Sequence, residues 1–462
     1  MGIVFSIFPD YQGWIVGSHN NKRVHIATFG CQMNAYDSKR MAGMLADMGY
    51  AQVERPDSAD LIVLNTCSVR RLAEEKVYSY VGELKRLKRE KPWLIIGVGG
   101  CVAQQEGDRL LKRLPHLDFV FGPDAVMSLP ELVTEAIQGK RQALTRLGPP
   151  AQPGRIIVPA EPGLRAMVTV MTGCDNFCSY CVVPYVRGRE RSRPAGEILD
   201  EVAALEDAGV REITLLGQNV NSYHDPDSGL DFAGLLGRVN DLEGLWRIRF
   251  TTSHPKDLGQ GLIEAMAGLE KVMEQMHLPA QSGSNRMLKA MNRGYTRERY
   301  LEQVRRLREK VPQVALGSDI IVGFPGESRE DFEESLSLLR EVRYDFLYSF
   351  KYSDRPFTKA SRLEGKLEEE TKSSRLVELQ ALQREIGLEE HQDQAGRVEE
   401  LLVEGPAKHG QGLMSGRSRA GRVVNFSGPP ELAGSLVMVR ITQGRENSLA
   451  GELLPATGEY KA

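Results

Sequence analysis

Gly173-Cys174-Asp175-Asn176-Phe177-Cys178-Ser179-Tyr180-Cys181 is the stretch that decides how this chain is read. A CxxxCxxC triplet supplies three thiolates to a four-iron cluster and leaves the fourth iron without a protein ligand. That open iron can chelate a small molecule, which makes a reagent out of an electron carrier. Ferredoxin-type clusters use other spacings, and zinc ribbons use two separated CxxC pairs. Three buried structural or zinc thiols are the competing reading, and they fit this spacing poorly.

The chain has six cysteines in 462 residues, far too few for a disulfide scaffold. The other three are Cys31, Cys67 and Cys101, each between a short apolar run and a helix-like stretch. Residues 24–29 lead to Gly30-Cys31, and a helix is expected over 34–48. Residues 61–64 lead to Asn65-Thr66-Cys67 and a charged helical segment that ends at Glu90. Residues 94–98 lead to Gly99-Gly100-Cys101 and a helix over about 104–114. Such strand–loop–helix units predict parallel strands, and in an open parallel sheet the loops after the strands share one edge. Any one of these cysteines alone reads as a core thiol. Three at the same step of three repeated units are expected to converge as a second three-thiolate site. We read it as a second 4Fe-4S cluster, again with one open iron. The thiol-rich, disulfide-free usage points to a reducing cytosol.

Composition bounds the partners. The formal net charge is −3 with 41% hydrophobic and 26% charged residues, so a nucleic-acid surface has to be a local patch. No apolar run approaches bilayer-spanning length, and no membrane association is expected. Residues 1–16 are apolar but lack a basic leader and are interrupted by Pro9, Asp10 and Gln12, a poor signal peptide. Met1-Gly2-Ile3-Val4-Phe5-Ser6 fits the loose myristoylation pattern by coincidence, and everything before Lys22 is expected to be a disordered extension. Gly97-Val98-Gly99-Gly100 is not a dinucleotide fingerprint, and no P-loop is present.

Three domains are expected, at 22–140, 160–390 and 393–455. The fold class is α/β: an N-terminal open parallel α/β domain, a central full or partial (β/α) barrel and a C-terminal small β-barrel. A Pro/Gly-rich linker, Leu147-Gly148-Pro149-Pro150-Ala151-Gln152-Pro153-Gly154, ends the first. The second alternates strands at 167–171, 212–216, 247–251, 272–276 and 316–322 with amphipathic helices such as 197–208, with chemistry expected at the strand C-termini. The triplet follows the first of these strands. Residues 363–394 read as a solvated helix. Strands at 398–403, 423–426 and 435–441 make the small barrel. Between them, Lys408, His409, Arg417, Arg419 and Arg422 occur with no acid. An ordinary basic loop and a phosphate-binding one are equally good readings of that segment.

From about Lys22 the chain resembles the methylthiotransferases of the radical S-adenosylmethionine (SAM) superfamily, which end in a TRAM domain. Within them it is similar to the MiaB-type tRNA 2-methylthio-N6-dimethylallyladenosine synthases. The carrying segments are Thr28-Phe29-Gly30-Cys31-Gln32-Met33-Asn34, Asn65-Thr66-Cys67-Ser68-Val69-Arg70 and Gly97-Val98-Gly99-Gly100-Cys101-Val102-Ala103-Gln104-Gln105. In the barrel they are Cys181-Val182-Val183-Pro184-Tyr185 running on to Arg193-Pro194, Gly217-Gln218-Asn219-Val220-Asn221-Ser222-Tyr223, and His277-Leu278-Pro279 to Ser284. Relatives acting on threonylcarbamoyladenosine or on a ribosomal-protein aspartate differ after the second barrel strand, so Gln218-Asn219-Val220-Asn221 supports the dimethylallyl branch.

The resemblance implies a target at C2 of a dimethylallyl-bearing adenine at tRNA position 37. It implies that a cluster on Cys174, Cys178 and Cys181 binds SAM and yields a 5′-deoxyadenosyl radical. It also implies that a second cluster on Cys31, Cys67 and Cys101 holds the sulfur that is methylated and delivered. Gly217 and Gln218 stand where the superfamily commonly contacts the SAM amino group. Tyr180 reads either as a neighbour of the SAM adenine or as a core aromatic. Asp319 reads as a ribose or substrate contact or as a strand-end turn residue. Arg187, Arg189, Arg191 and Arg193 read as a solvated run or as phosphate ligands, as do Lys408, Arg417, Arg419 and Arg422. Expected partners are a tRNA anticodon stem-loop and an electron donor of flavodoxin or ferredoxin type, with the sulfur donor left open and a cytoplasmic monomer expected. The same chemistry on the two related substrates is the alternative. A non-catalytic iron–sulfur RNA-binding or redox module is disfavoured, because an electron carrier gains nothing from unligated irons. Ala35, Val186 and Phe357 depart from the family pattern, where Glu, Thr and Gly are usual.

Overall fold

The computed structural model of the chain describes residues 22–68, 71–148, 156, 158, 163–410 and 412–455. The N-terminal extension with its myristoylation-like start, Val69-Arg70 of one family segment and residues 149–154 of the linker lie outside the described residues. Among the described residues, no helix is long and apolar enough to cross a membrane.

Six parallel strands form the N-terminal sheet: β1 (Lys22–Thr28), β2 (Tyr50–Gln52), β3 (Leu61–Thr66), β4 (Ile95–Gly100), β5 (Phe119–Phe121) and β6 (Gln142–Leu144), ordered β2-β1-β3-β4-β5-β6. The middle strand β3 shows why. Leu61 and Val63 face one buried cluster while Ile62 and Leu64 face another, so both faces are covered and the strand reads as a continuous apolar run. Each of these side chains contributes about 1.5–3 kcal/mol by burial. Gly97 and Gly99 are dictated by packing, since a Cβ on either would stand within 2.3 Å of the rings of Phe119 or Phe121. The register sets Thr28 of β1 opposite Asn65, and Thr66 opposite Gly100 of β4. The three strands therefore end level. The helix expected over 104–114 is instead two, Cys101–Glu106 and Asp108–Arg113, broken at Gly107 with φ 52°. That left-handed residue cannot continue a right-handed helix.

The central domain has β7 (Arg165–Thr169), the short antiparallel pair β8 (Met171–Thr172) and β9 (Arg191–Ser192), then β10 (Glu212–Leu216), β11 (Arg247–Phe250), β12 (Gln275–His277), β13 (Ala315–Val322) and β14 (Phe346–Lys351). Two parallel triplets, β11-β10-β7 and β12-β13-β14, are joined by a bridge between Ile248 and Val272. The result is a six-strand partial barrel, closed outside by helices such as Ala195–Asp207 and Arg297–Lys310. Residues 272–276, expected as one strand, bridge only at Val272 before β12 begins at Gln275.

Helix Glu369–Gln392 buries Leu379 and Ile386 in the central core and leads to a closed five-strand barrel. Its strands are β15 (Val398–Pro406), β16 (Leu413–Ser418), β17 (Val423–Ser427), β18 (Leu436–Gly444) and β19 (Leu449–Leu453), ordered β15-β16-β17-β19-β18. The segment read as a basic loop, 408–422, contains β16 at its centre. This barrel docks against the N-terminal ends of the central strands. Arg247, first residue of β11 and 0% exposed, donates to the carbonyls of Arg417 and Glu400 and to the Glu400 carboxylate. Arg165, first of β7, pairs with Glu404, and Asp345, just before β14, pairs with Arg422.

Candidate active site

The triplet lies at the C-terminal end of the central strands, held by backbone bonds from several directions. Gly173 has φ 79°, and its N–H donates to Gln218 Oε1 at 2.5 Å. A Cβ there would meet the Arg189 carbonyl at 2.0 Å, so only glycine allows the approach. The N–H of Ser179 donates to the Met291 carbonyl, and Asn292 Nδ2 donates to the carbonyls of Asn176 and Phe177. Phe177, Thr252, Gln281 and Asn292 all have positive φ and all follow strands or loops at this end. Backbone strain of this kind collects at functional sites.

Burial pushes the Cys174 thiol up to about 11 and the Cys181 thiol up to about 12, each raised further by Cys178. None of the six cysteines is joined to another by a disulfide. Among the described residues, no three His, Cys, Asp or Glu side chains converge on a single metal ion. Three thiols at CxxxCxxC spacing are the donor set that a four-iron cluster takes with one iron left open. Metal binding supplies the deprotonation that burial otherwise opposes.

The loops that carry the second trio share one edge of the sheet. Cys31 follows β1, Cys67 follows β3 directly and Cys101 follows β4 directly. A Cβ on Gly30 would lie 2.4 Å from the Cys67 Cβ, so the first two loops touch. Two buried asparagines fix them. Asn34 donates to Asn65 Oδ1 at 2.8 Å and to the Thr66 carbonyl at 3.0 Å, while Asn65 donates back to the Asn34 carbonyl at 2.8 Å. A hydrogen bond with Cys67 lowers the Cys31 thiol to about 6 against the opposing effect of burial, with help from Arg187. Burial raises Cys101.

One element links the two trios. The helix Val183–Val186 starts two residues after Cys181, and Val182 and Val186 pack directly on Cys101. Arg187 follows it, buried, hydrogen-bonded to the Cys101 thiol and 3.3 Å from the Asp37 carboxylate.

The remaining expected residues divide. Gln218 braces Gly173, and Gly217 packs against Met171, where a Cβ would stand 2.5 Å from that side chain. Tyr180 packs on a core cluster that includes Met287, Met291 and Phe324, so its ring is a packing aromatic here. Asp319 Oδ1 is 2.9 Å from His277 Nε2. The arginines correct the phosphate expectation. Arg187 is buried at Cys101, Arg191 binds Asp124 at 2.7 Å, and Arg193 binds Glu201 at 2.7 Å. Arg417 binds Glu404, Arg419 binds Glu274 and Arg422 binds Asp345, all in the seam with the small barrel. These six guanidinium groups are spent on internal pairs. Arg189 stays exposed beside Asp175 and over the Phe177 ring, and Lys408 is exposed in a tight turn.

Two functional candidates were not foreseen. Arg293 is buried with Nη1 3.3 Å from Cys178 Sγ and from the Tyr180 hydroxyl, while Nη2 donates to the Pro279 carbonyl at 2.7 Å. His254 is buried, with Nδ1 accepting from the Lys256 N–H, and burial, then Arg293 and Lys256, lower its pKa to about 2. Its Nε2 has no partner among the described residues. The buried cation beside a cysteine is visible only in three dimensions. Asp175, Asn176, Glu190, Ser222, Lys256, Asn292, Arg293 and Gly294 line a cleft of about 330 Å³ over the triplet loop. Its mixed charges suit a zwitterionic ligand. A larger hollow of about 610 Å³ is lined by Arg55, Tyr80 and Leu87 among others, and no cysteine lines it.

Three family descriptions match the chain: the uncharacterized protein family UPF0004 over residues 23–122, the radical SAM superfamily over 168–339 and the TRAM domain over 392–454. The tRNA-2-methylthio-N(6)-dimethylallyladenosine synthase of Carboxydothermus hydrogenoformans is 50% identical over 440 residues, covering 94% of this chain and 99% of its own. The synthase of the same description from Geobacter metallireducens is 52% identical over 442 residues, covering 94% and 98%. Among solved structures, the radical S-adenosylmethionine methyltransferase TsrM from Kitasatospora setae matches with a TM-score of 0.53 at 17% identity, covering 74% of this chain and 75% of that one. That match speaks to the fold alone.

Proposed function

The chain belongs to the family of tRNA-2-methylthio-N(6)-dimethylallyladenosine synthases, and from that premise we propose how its own residues divide the work. It is a radical SAM methylthiotransferase that modifies the dimethylallyladenosine of tRNA. Cys174, Cys178 and Cys181 hold a 4Fe-4S cluster with SAM at its open iron, and Cys31, Cys67 and Cys101 hold a second. Bound there, the two clusters and SAM would supply reductive homolysis, hydrogen abstraction and sulfur, which an adenine C2–H too strong and too weakly acidic for any ordinary base requires.

The protein contributes position and charge. Gly173 and Gln218 fix the start of the triplet loop, and Arg293 ties its middle thiolate to the Pro279 carbonyl. The polar cleft over the loop receives SAM, with Lys256 and Glu190 offering opposite charges to its carboxylate and amino groups. Asn34 and Asn65 hold the loops of the second trio in register. The observation that carries the two-cluster reading is the contact of Cys101 with Val182, the residue after Cys181. That contact supports a reading in which both thiolate sets serve one bound base.

The domain division at 22–140, 160–390 and 393–455, a flavodoxin- or ferredoxin-type electron donor, a monomeric state and a cytoplasmic site of action belong to the same proposal. The test is nucleoside mass spectrometry of tRNA from a strain lacking this protein. The methylthio mark on the dimethylallyl nucleoside should vanish and return with wild type but with neither Cys174→Ala nor Cys101→Ala. Loss of a mark on threonylcarbamoyladenosine instead would move the activity to the related branch.

A further inference from the structure

Two large aromatic side chains stand exposed and in contact at the rim between the cysteine sites. Tyr185 is 39% exposed, Phe357 is 48% exposed, and their ring centroids lie 6.0 Å apart. Tyr185 sits on the helix Val183–Val186, whose Val182 and Val186 side faces Cys101, so residue 185 is turned outward. Phe357 lies on a loop bound to the triplet itself, because the Ala360 N–H donates to the Ser179 carbonyl at 2.8 Å. The pair is thus fixed to both sites at once.

The backbone at Phe357 argues that the ring has a task. Its φ of 69° is a conformation glycine adopts freely and a bulky side chain does not. A strained, solvent-exposed phenyl ring adds nothing to the core. The same loop carries Lys359 and Arg362, both exposed and without an ion pair among the described residues. Rings with flanking unpaired cations form the composition that holds single-stranded nucleic acid: π faces for bases and positive charge for phosphates.

We propose that Tyr185 and Phe357 form a stacking platform for an unpaired loop base next to the base being modified, with Lys359 and Arg362 contacting the adjoining phosphates. The inference rests on the tRNA reading above and adds where the RNA loop is gripped. It also replaces the internally paired arginines as the local contact.

The test uses the full chain with both clusters and a synthetic anticodon stem-loop carrying 2-aminopurine at each loop position in turn. Stacking quenches the fluorescence at one flanking position in the wild type. In Phe357→Gly, which suits the backbone and so spares folding, the quench is lost and affinity falls about tenfold. Phe357→Trp restores both, and Tyr185→Ala behaves as the glycine variant does. Quenching and affinity that survive in Phe357→Gly overturn the platform while leaving the tRNA reading intact, and would assign the rings to a protein contact. A wild type that does not bind the RNA at all overturns both.

Discussion

Arg187 Nη2 lies 3.3 Å from Asp37 Oδ2, joining the segment after the triplet to the first helix of the N-terminal domain, and both side chains are buried. The same guanidinium reaches the Cys101 thiol. A buried positive charge beside a cluster stabilises its more negative, reduced state, and the neighbouring carboxylate weakens that effect.

Opposite substitutions should therefore move the second cluster in opposite directions. In a background lacking Cys174, Cys178 and Cys181, Arg187→Gln should lower the midpoint potential and Asp37→Asn should raise it. Redox titration followed by electron paramagnetic resonance reads both. Equal shifts, or none, would rule out an electrostatic role for the pair.

Iron content separates the two sites. Wild type should carry about eight irons per chain, and either Cys174→Ala or Cys101→Ala should retain about four. Only the first substitution should abolish SAM cleavage under reducing conditions. Loss of cleavage in Cys101→Ala with four irons still bound would contradict the division of labour.

His254 gives a pH signature. Its folded pKa is depressed to about 2 while the unfolded value is near 6.5, so only the unfolded chain takes up the proton between those values. Stability is then lost as pH falls below 6.5. In urea unfolding of the apoprotein, wild type should lose about 1.4 kcal/mol more than His254→Gln between pH 7.5 and pH 5.5. Parallel stability curves for the two proteins would remove burial of a neutral imidazole as the cause.

Arg247 should hold the small barrel in place. Replacing it with leucine leaves the Glu400 carboxylate and two carbonyls without their donor, a cost of about 2 kcal/mol after allowing for the partial exposure of Glu400. Hydrogen exchange should rise across 398–453 and stay unchanged in the N-terminal sheet. Uniform protection would show that the seam does not depend on this residue.

The parallel units, and the common edge of the loops with Cys31, Cys67 and Cys101, were legible because period-2 and period-3.6 patterns are local, and parallel pairing then fixes which edge the loops share. The fate of the arginines was not. Arg419 looks like a free cation in its own segment, yet its partner Glu274 is 145 residues away. Strand β16 was missed because Leu413–Ser418 has no β-branched residue and contains Gly416, so its pairing comes from neighbours rather than propensity. Arg293 was missed for the same kind of reason, since its cysteine partner lies 115 residues earlier.

The helix Val183–Val186 works as a partition of set thickness. Cys181 is covalently two residues from its start, and its inner side chains are seated on Cys101. The loop that carries Cys181 and the loop that carries Cys101 are thus tied to one short helix, so a shift of either loop has to move or unpack that helix.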